Sequence, residues 1–281
     1  MKYMQTLITM VVSGVVLALA SSAVAQTVKP CLVTVVRIQG QARYSLDGKV
    51  WHPLLVGKVL RSGAIIQSAI NSTVDIVLSG EPVAMPQAAP SPDTISFAPD
   101  PNVRSLVSYK PMVEQNVIRL WQNTVLAVDK LTQFDTGVDT VSDTELDLRA
   151  GRIFFNVKKM SAASQFIIKI PNGVAGIRGS YGFLDASGTM AMGEGSAVES
   201  IILNGKPLTE VINAGFQFDP STGQLTPISH SVLEDFVITR TSLVTLFLAP
   251  GGPTNPDRNI VNITHVYCSP TTGKLPPGAH Y

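Results

Sequence analysis

The chain has 281 residues with 21 basic and 20 acidic side chains, a net charge of +1, and only 15% charged residues. So even a balance lacks the long-range field that draws a protein to polyanions, which excludes nucleic acid and acidic membrane surfaces as main partners. A hydrophobic share of 45% excludes a disordered chain and supplies enough apolar material for a proper core.

The first predicted element is a targeting segment. Met1-Lys2 precedes an apolar run from Leu7 to Ala20, and Ala23-x-Ala25 follows before Gln26, the order of a secretory signal peptide at residues 1–25. The apolar run barely reaches the roughly 18–20 residues that a bilayer span needs, and no later stretch is as long. The expectation is a periplasmic or secreted protein with no membrane span after signal cleavage. About 255 residues then remain, room for one large all-β domain or two small ones.

From Cys31 to Gln39, Leu32, Thr34, Val36 and Ile38 alternate against Val33, Val35 and Arg37, which is strand periodicity. Ala42–Ser45 and Val50–His52 flank Asp47-Gly48, a dipeptide suited to a type I′ hairpin, and Trp51 is expected in the core. Val56–Leu60, Ala64–Gln67 and Thr73–Leu78 are short apolar runs, the first two separated by Gly63. From Ser79 to about Asn102 prolines recur with few apolar anchors, which reads as an exposed insertion. Strands are predicted again at Val103–Tyr109, Val117–Trp121 and Val125–Leu131.

Phe134–Glu145 carries Asp135, Asp139 and Asp143. Regularly spaced carboxylates suggest calcium, but a spacing of four departs from the alternating ligands of a calcium loop, so a solvated connection is the better reading. In the strand-turn-strand that follows, Leu146, Leu148, Ile153 and Phe155 fall on one inward face. Met190 and Met192 read as core or edge filler. Asn204-Gly205 is a strong hairpin signal leading into Leu208–Ile212. The period then changes: Ser231 is placed to cap a helix whose apolar positions, Val232, Leu233, Phe236, Val237, Leu243, Val244 and Phe247, recur at three- and four-residue steps before Pro250. A last strand is predicted at Ile260–Tyr267.

The two cysteines, Cys31 and Cys268, stand near the two ends of the mature chain. A disulfide between them would close a very long loop, worth on the order of 5 kcal/mol by chain entropy; the alternative is two buried thiols. Bonding requires Cα atoms less than about 7 Å apart.

Chemistry-bearing patterns are absent. His52, His230, His265 and His280 have no zinc spacing, and there is no nucleophile elbow. Gly173-x-x-Gly176-x-x-Gly179 lacks the Lys-Ser/Thr of a phosphate loop, and Ser180 reads as an exposed serine at a strand start. The expectation is a protein that is not an enzyme, with no catalytic residue, no metal and no cofactor.

Phe166–Phe183, FIIKIPNGVAGIRGSYGF, is an alternating strand, a Pro171-Asn172-Gly173 turn and a second segment containing Gly176, Arg178 and Gly179. It resembles the signature of FecR-like domains. The flanks agree in order: Trp51 with Leu54–Leu60, then Ile118–Leu126, then Leu146–Lys159. The resemblance runs from about Val33 to Phe218 and implies a FecR-like all-β domain at 31–218, with the insertion at about 79–102 and an extension with helix and tail at 219–281. In that family's better understood members a periplasmic domain receives a signal from an outer-membrane receptor, below which lie a membrane helix and a cytoplasmic anti-sigma segment. A cleavable signal departs from that plan. What carries over is a binding module whose partner is an envelope protein, either an outer-membrane receptor or a membrane regulator, or a cell-wall glycan; the alternative is a structural, surface-associated scaffold. Gly173, Gly176 and Gly179 are expected to set the signature turn, and Arg178 to tie it by donating to backbone carbonyls. The expected fold is all-β: a compact β-sandwich or short solenoid-like wrap of many short strands, with a C-terminal helix.

Overall fold

The computed structural model describes residues 28–81 and 115–246. The signal segment, nearly all of the proline-rich insertion, the strands predicted at 103–109 and 260–267, and Cys268 lie outside them. Cys31 is buried, and that burial pushes its thiol pKa up.

Nineteen strands and one helix follow in order among the described residues. They are β1 (Lys29–Pro30), β2 (Leu32–Gln39), β3 (Ala42–Ser45), β4 (His52–Pro53), β5 (Val59–Leu60), β6 (Ile65–Ser68), β7 (Thr73–Ser79), β8 (Asn116–Leu120), β9 (Val125–Asp135) and β10 (Thr140–Ala150). The second half holds β11 (Arg152–Asn156), β12 (Gln165–Ile170), β13 (Gly173–Ile177), β14 (Tyr181–Asp185), β15 (Met190–Glu194), β16 (Ser196–Leu203), β17 (Lys206–Asn213), β18 (Phe216–Asp219), β19 (Gln224–Pro227) and α1 (His230–Leu246).

Two sheets result. The first runs β17-β16-β13-β12-β10-β9-β6-β3-β4, with β1 paired to β9; the second runs β19-β18-β15-β14-β11-β8-β7-β2-β5. The chain alternates between them, adding one or two strands to a sheet before crossing. Many crossings use a residue in the left-handed region, among them Gly40, Asn71, Asn123, Gly151 and Gly195. Gly151 shows why a side chain is excluded: a Cβ there would stand 2.5 Å from the Thr124 backbone at a φ of +80°. Among the described strands the only parallel pairing is β10 with β12, because the chain leaves the first sheet for β11 between them. The architecture is thus a long two-sheet sandwich with a C-terminal helix.

The main core lies between the sheets. Leu146, Leu148, Ile153 and Phe155, predicted to share an inward face, are all fully buried there with Met190 and Met192. A second apolar cluster sits on the outer side of the second sheet, where Val36, Val77, Phe154, Tyr181 and Phe183 meet Phe236 and Leu243 of α1. Phe236 stacks on Phe183 with centroids 4.2 Å apart. Beside it, Arg37, Asp75 and Arg119 stand in register on adjacent strands. Asp75 is fully buried and accepts from Arg37 Nε at 2.6 Å and Arg119 Nε at 2.7 Å. Both guanidiniums also donate to Ser242 Oγ, at 3.0 and 3.1 Å. The helix is therefore docked by an aromatic stack at one end and a buried charge cluster at the other.

Several local expectations change. The helix starts earlier than Ser231: Ser229 Oγ accepts from the Val232 N–H, so Ser229 is the cap. Asp47-Gly48 is not a two-residue hairpin, since Tyr44 pairs with His52; the Asp47 carboxylate accepts the N–H groups of Lys49 and Val50 and holds a wider loop open. Trp51 is only partly buried and lies under the Arg43 guanidinium, 4.5 Å from its centroid, outside both apolar clusters. Leu55 and Val56 are exposed, and only Val59–Leu60 of that run is strand. Phe134–Glu145 is no loop: β9 and β10 run almost to its tip, where Asp135 accepts from the Gly137 N–H, while Asp143 pairs with Lys130. Ser180 is buried, and its hydroxyl donates to Ser196 O.

Candidate interaction surface

The signature forms a hairpin within the first sheet. β12 and β13 pair from Ile167↔Gly176 to Ile170↔Gly173, leaving Pro171-Asn172 as the two-residue turn. The glycines have three different jobs. A Cβ on Gly173 would fall 2.2 Å from Ser200 O, so Gly173 lets β16 approach. Gly179 has a φ of +64° and carries the chain out of β13. Gly176 stands in mid-strand, where a Cβ would meet only Val198 O at 3.8 Å.

Alternation sends Phe166, Ile168, Ile170, Ala175, Ile177, Ala197 and Ile201 into the core and leaves the other set on the outer face. In register across four strands the outer set gives Ile167, Gly176, Val198 and Val211 as one row. Val198 is 45% and Val211 52% exposed, and the neighbouring Ile202 is 56% exposed. Gly176 makes a notch in this row. Lys169 flanks the row, held by Asp129 at 3.1 Å and Glu145 at 2.9 Å. Arg178, just past β13, is exposed and makes no hydrogen bond or ion pair among the described residues. The tie expected of it is not formed; its five donors face outward beside an apolar row. That combination suits a protein partner: apolar area supplies affinity, and a free guanidinium can take a carboxylate or a backbone carbonyl.

On the inner side of the same strands lies a group that sequence reasoning missed. Glu199 on β16 occupies the inward phase between Ala197 and Ile201, is 1% exposed, and has no hydrogen-bond partner for either carboxylate oxygen. Desolvation first, and the Asp185 charge second, push its pKa up to about 8. Glu210 is its cross-strand neighbour on β17. Near it, Asn172 donates to Ser187 O at 3.1 Å while its own buried Oδ1 lacks a donor. The available signal was the phase: in Ala197, Glu199, Ile201 a charged residue stands where the pattern requires an apolar one. Among the described residues no group of three or more His, Cys, Asp or Glu is arranged to hold a metal ion, and no helix is long and apolar enough to cross a membrane.

Residues 112–205 match the family described as FecR protein. The chain thus carries a FecR-type domain there, a narrower span than the resemblance from Val33 to Phe218, and the whole Phe166–Phe183 signature lies inside it. Two crystal structures from Parabacteroides distasonis ATCC 8503, each provisionally described as an anti-sigma factor, are similar at 12% and 14% identity, with TM-scores of 0.32 and 0.31. The alignments cover 46% of this chain and 56% and 57% of those chains, so this chain spans little more than half of their length. Likeness at that level carries no functional argument. No curated protein matches.

Proposed function

We propose that this FecR-type protein is a non-catalytic binding module, exported to the periplasm or beyond, which transmits a signal by contacting another envelope protein through the outer face of its first sheet. The observation that carries this reading is the coincidence of family and surface: Ile167, Gly176, Arg178, Val198 and Ile202 all fall within the matched residues 112–205 and all lie on or beside one sheet face that no other described element covers. A surface of mixed apolar and cationic character that no described element covers has the make-up of a contact surface. β12, β13 and β16, which carry Ile167, Gly176, Val198 and Ile202, are each paired on both sides, so these contact residues are held in place before binding.

The test is site-directed photo-crosslinking in cells from position 202, with Val198→Asp and Arg178→Ala as comparison backgrounds. A discrete adduct with an envelope protein is expected, reduced in both backgrounds. Both side chains are exposed or half-exposed, so the stability of each variant should stay within about 0.5 kcal/mol of the parent, the range of surface substitutions. Loss of the adduct with an unchanged fold supports the reading. An adduct that ignores both substitutions refutes this face as the contact.

A further inference from the structure

The edges of the two sheets are not equivalent. β4 and β5 have two residues each and β19 has four, the short form that blunts an edge against unwanted pairing. β17 has eight residues, paired with β16 without a bulge from Leu203↔Lys206 to Ser196↔Asn213. Among the described strands nothing pairs with its other side.

The phase of its backbone follows from the turn. Asn204 and Gly205 have φ values of 51° and 74°, both positive, the type I′ form in which the flanking Leu203 and Lys206 exchange backbone bonds. Antiparallel pairs then alternate, so Leu208, Glu210 and Ile212 bond to β16, whereas Pro207, Thr209, Val211 and Asn213 point their backbone groups away. Two bonds fix this phase independently. Ile202 N donates to Asn172 O, away from β17, and Ala214 N donates to Gly195 O, continuing the alternation past the strand end. Thr209, Val211 and Asn213 therefore present three N–H and three C=O groups outward; Pro207 presents a carbonyl alone.

We propose that β17 pairs antiparallel with β17 of a second copy of this chain, about a two-fold axis at Val211, so that the two first sheets become one continuous sheet. In this register Val211 faces Val211 and each Thr209 faces an Asn213, giving about six backbone hydrogen bonds. The alternatives are poorer. Centring on Glu210 would bring two carboxylates face to face, each already beside a Glu199, and like charges directly opposite destabilise a pair. Centring on Thr209 would bring Pro207 into the ladder opposite Val211 and remove donors. A second copy fits better than an unrelated strand because the outward sequence is its own complement when reversed: polar Thr209, apolar Val211, polar Asn213. The apolar row Ile167, Gly176, Val198, Val211 also runs straight across the axis into its mate, so pairing joins two half-exposed rows into one and shields Val211. This goes beyond the binding role above and requires no other partner.

Analytical ultracentrifugation of the mature chain across a wide concentration range tests it, combined with hydrogen exchange of the β17 amides at both ends of that range. The expected result is a concentration-dependent doubling of mass, with the amides of Thr209, Val211 and Asn213 protected only in the dimer. Val211→Asp places two like charges at the axis and Val211→Pro removes the central donors. Each should give one-chain mass throughout with the wild-type circular dichroism spectrum, and either variant suffices if the other fails to fold. A chain that stays monomeric at the highest concentration overturns the proposal. So does a dimer whose β17 amides exchange freely, or one that survives substitution at Val211.

Discussion

Burying Glu199 has a thermodynamic consequence that can be read directly. Its carboxyl has an ordinary pKa of 4.5 and is pushed up to about 8 in the folded protein, chiefly by desolvation. A folded pKa above the unfolded one means that the folded state holds a proton which the unfolded chain releases. The resulting stability is fully present below about pH 4.5, falls as pH rises, and is gone once pH passes about 8. At 1.36 kcal/mol per pH unit, the interval from 4.5 to about 8 corresponds to about 5 kcal/mol, with about 3 kcal/mol already lost at pH 7. Glu199→Gln keeps the shape and has nothing to titrate. Urea denaturation of wild type and variant between pH 5 and 9 isolates this one group, since every other titration is common to both. The variant is expected to gain on the wild type progressively with pH, by a few kcal/mol across the window. Parallel curves would refute the reasoning, and would mean that Glu199 is ionised in the folded state and paired with something that stabilises the charge.

Two further outcomes follow from packing. Asp75→Asn leaves Arg37 and Arg119 facing each other around a neutral group beneath α1, and breaking a buried pair of this kind costs about 3–5 kcal/mol; the loss should appear in urea denaturation, with faster amide exchange in the last turns of α1 because both guanidiniums hold Ser242. The signature glycines should separate cleanly: Gly173→Ala drives a Cβ to 2.2 Å from Ser200 O and should lower the melting temperature markedly, while Gly176→Ala meets nothing closer than 3.8 Å and should be nearly neutral or slightly stabilising. Equal damage from both would show that Gly176 also holds the hairpin.

What the sequence disclosed was local. The alternation of Leu146, Leu148, Ile153 and Phe155 marked the core because strand periodicity needs only neighbours, and Asn204-Gly205 marked a hairpin because two left-handed residues admit few other geometries. Asp47-Gly48 carries the same kind of signal and gave a wider loop, since an aspartate can offer its carboxylate to Lys49 and Val50 and replace the backbone bond that would close a tight turn. Trp51 was placed by its hydrophobicity, but an edge hairpin offers it only the Arg43 guanidinium to lie under. What depended on distant segments was illegible. The parallel pairing of β10 with β12, and the meeting of Arg37 with Ser242 across 205 positions, have no local correlate. Arginine beside glycine turns usually finds carbonyls, which is why the sequence suggests a structural tie for Arg178, whereas the Pro171-Asn172 turn closes in two residues through β-ladder pairing and leaves it no role there.

The two outer faces of the sandwich explain where recognition is expected. On the second sheet Phe154, Tyr181 and Phe183 form an aromatic patch too large to leave in water, and α1 covers it with Phe236 and Leu243. Arg152 over Phe183 and Arg240 over Tyr181 close its margins. That face is occupied by the chain itself, and opening it would expose a buried carboxylate with its two arginines as well as the rings. Among the described residues the row on the first sheet is smaller, Val198 and Val211 with Gly176 between Ile167 and Val198, so water can be tolerated over it until something binds. An apolar row of this size costs little when bare and returns a gain when covered, which is the balance a reversible contact needs. The free guanidinium of Arg178 stands on that side. The helix, by occupying the stickier face, leaves the weaker one available, and it is on the weaker face that the signature hairpin is displayed.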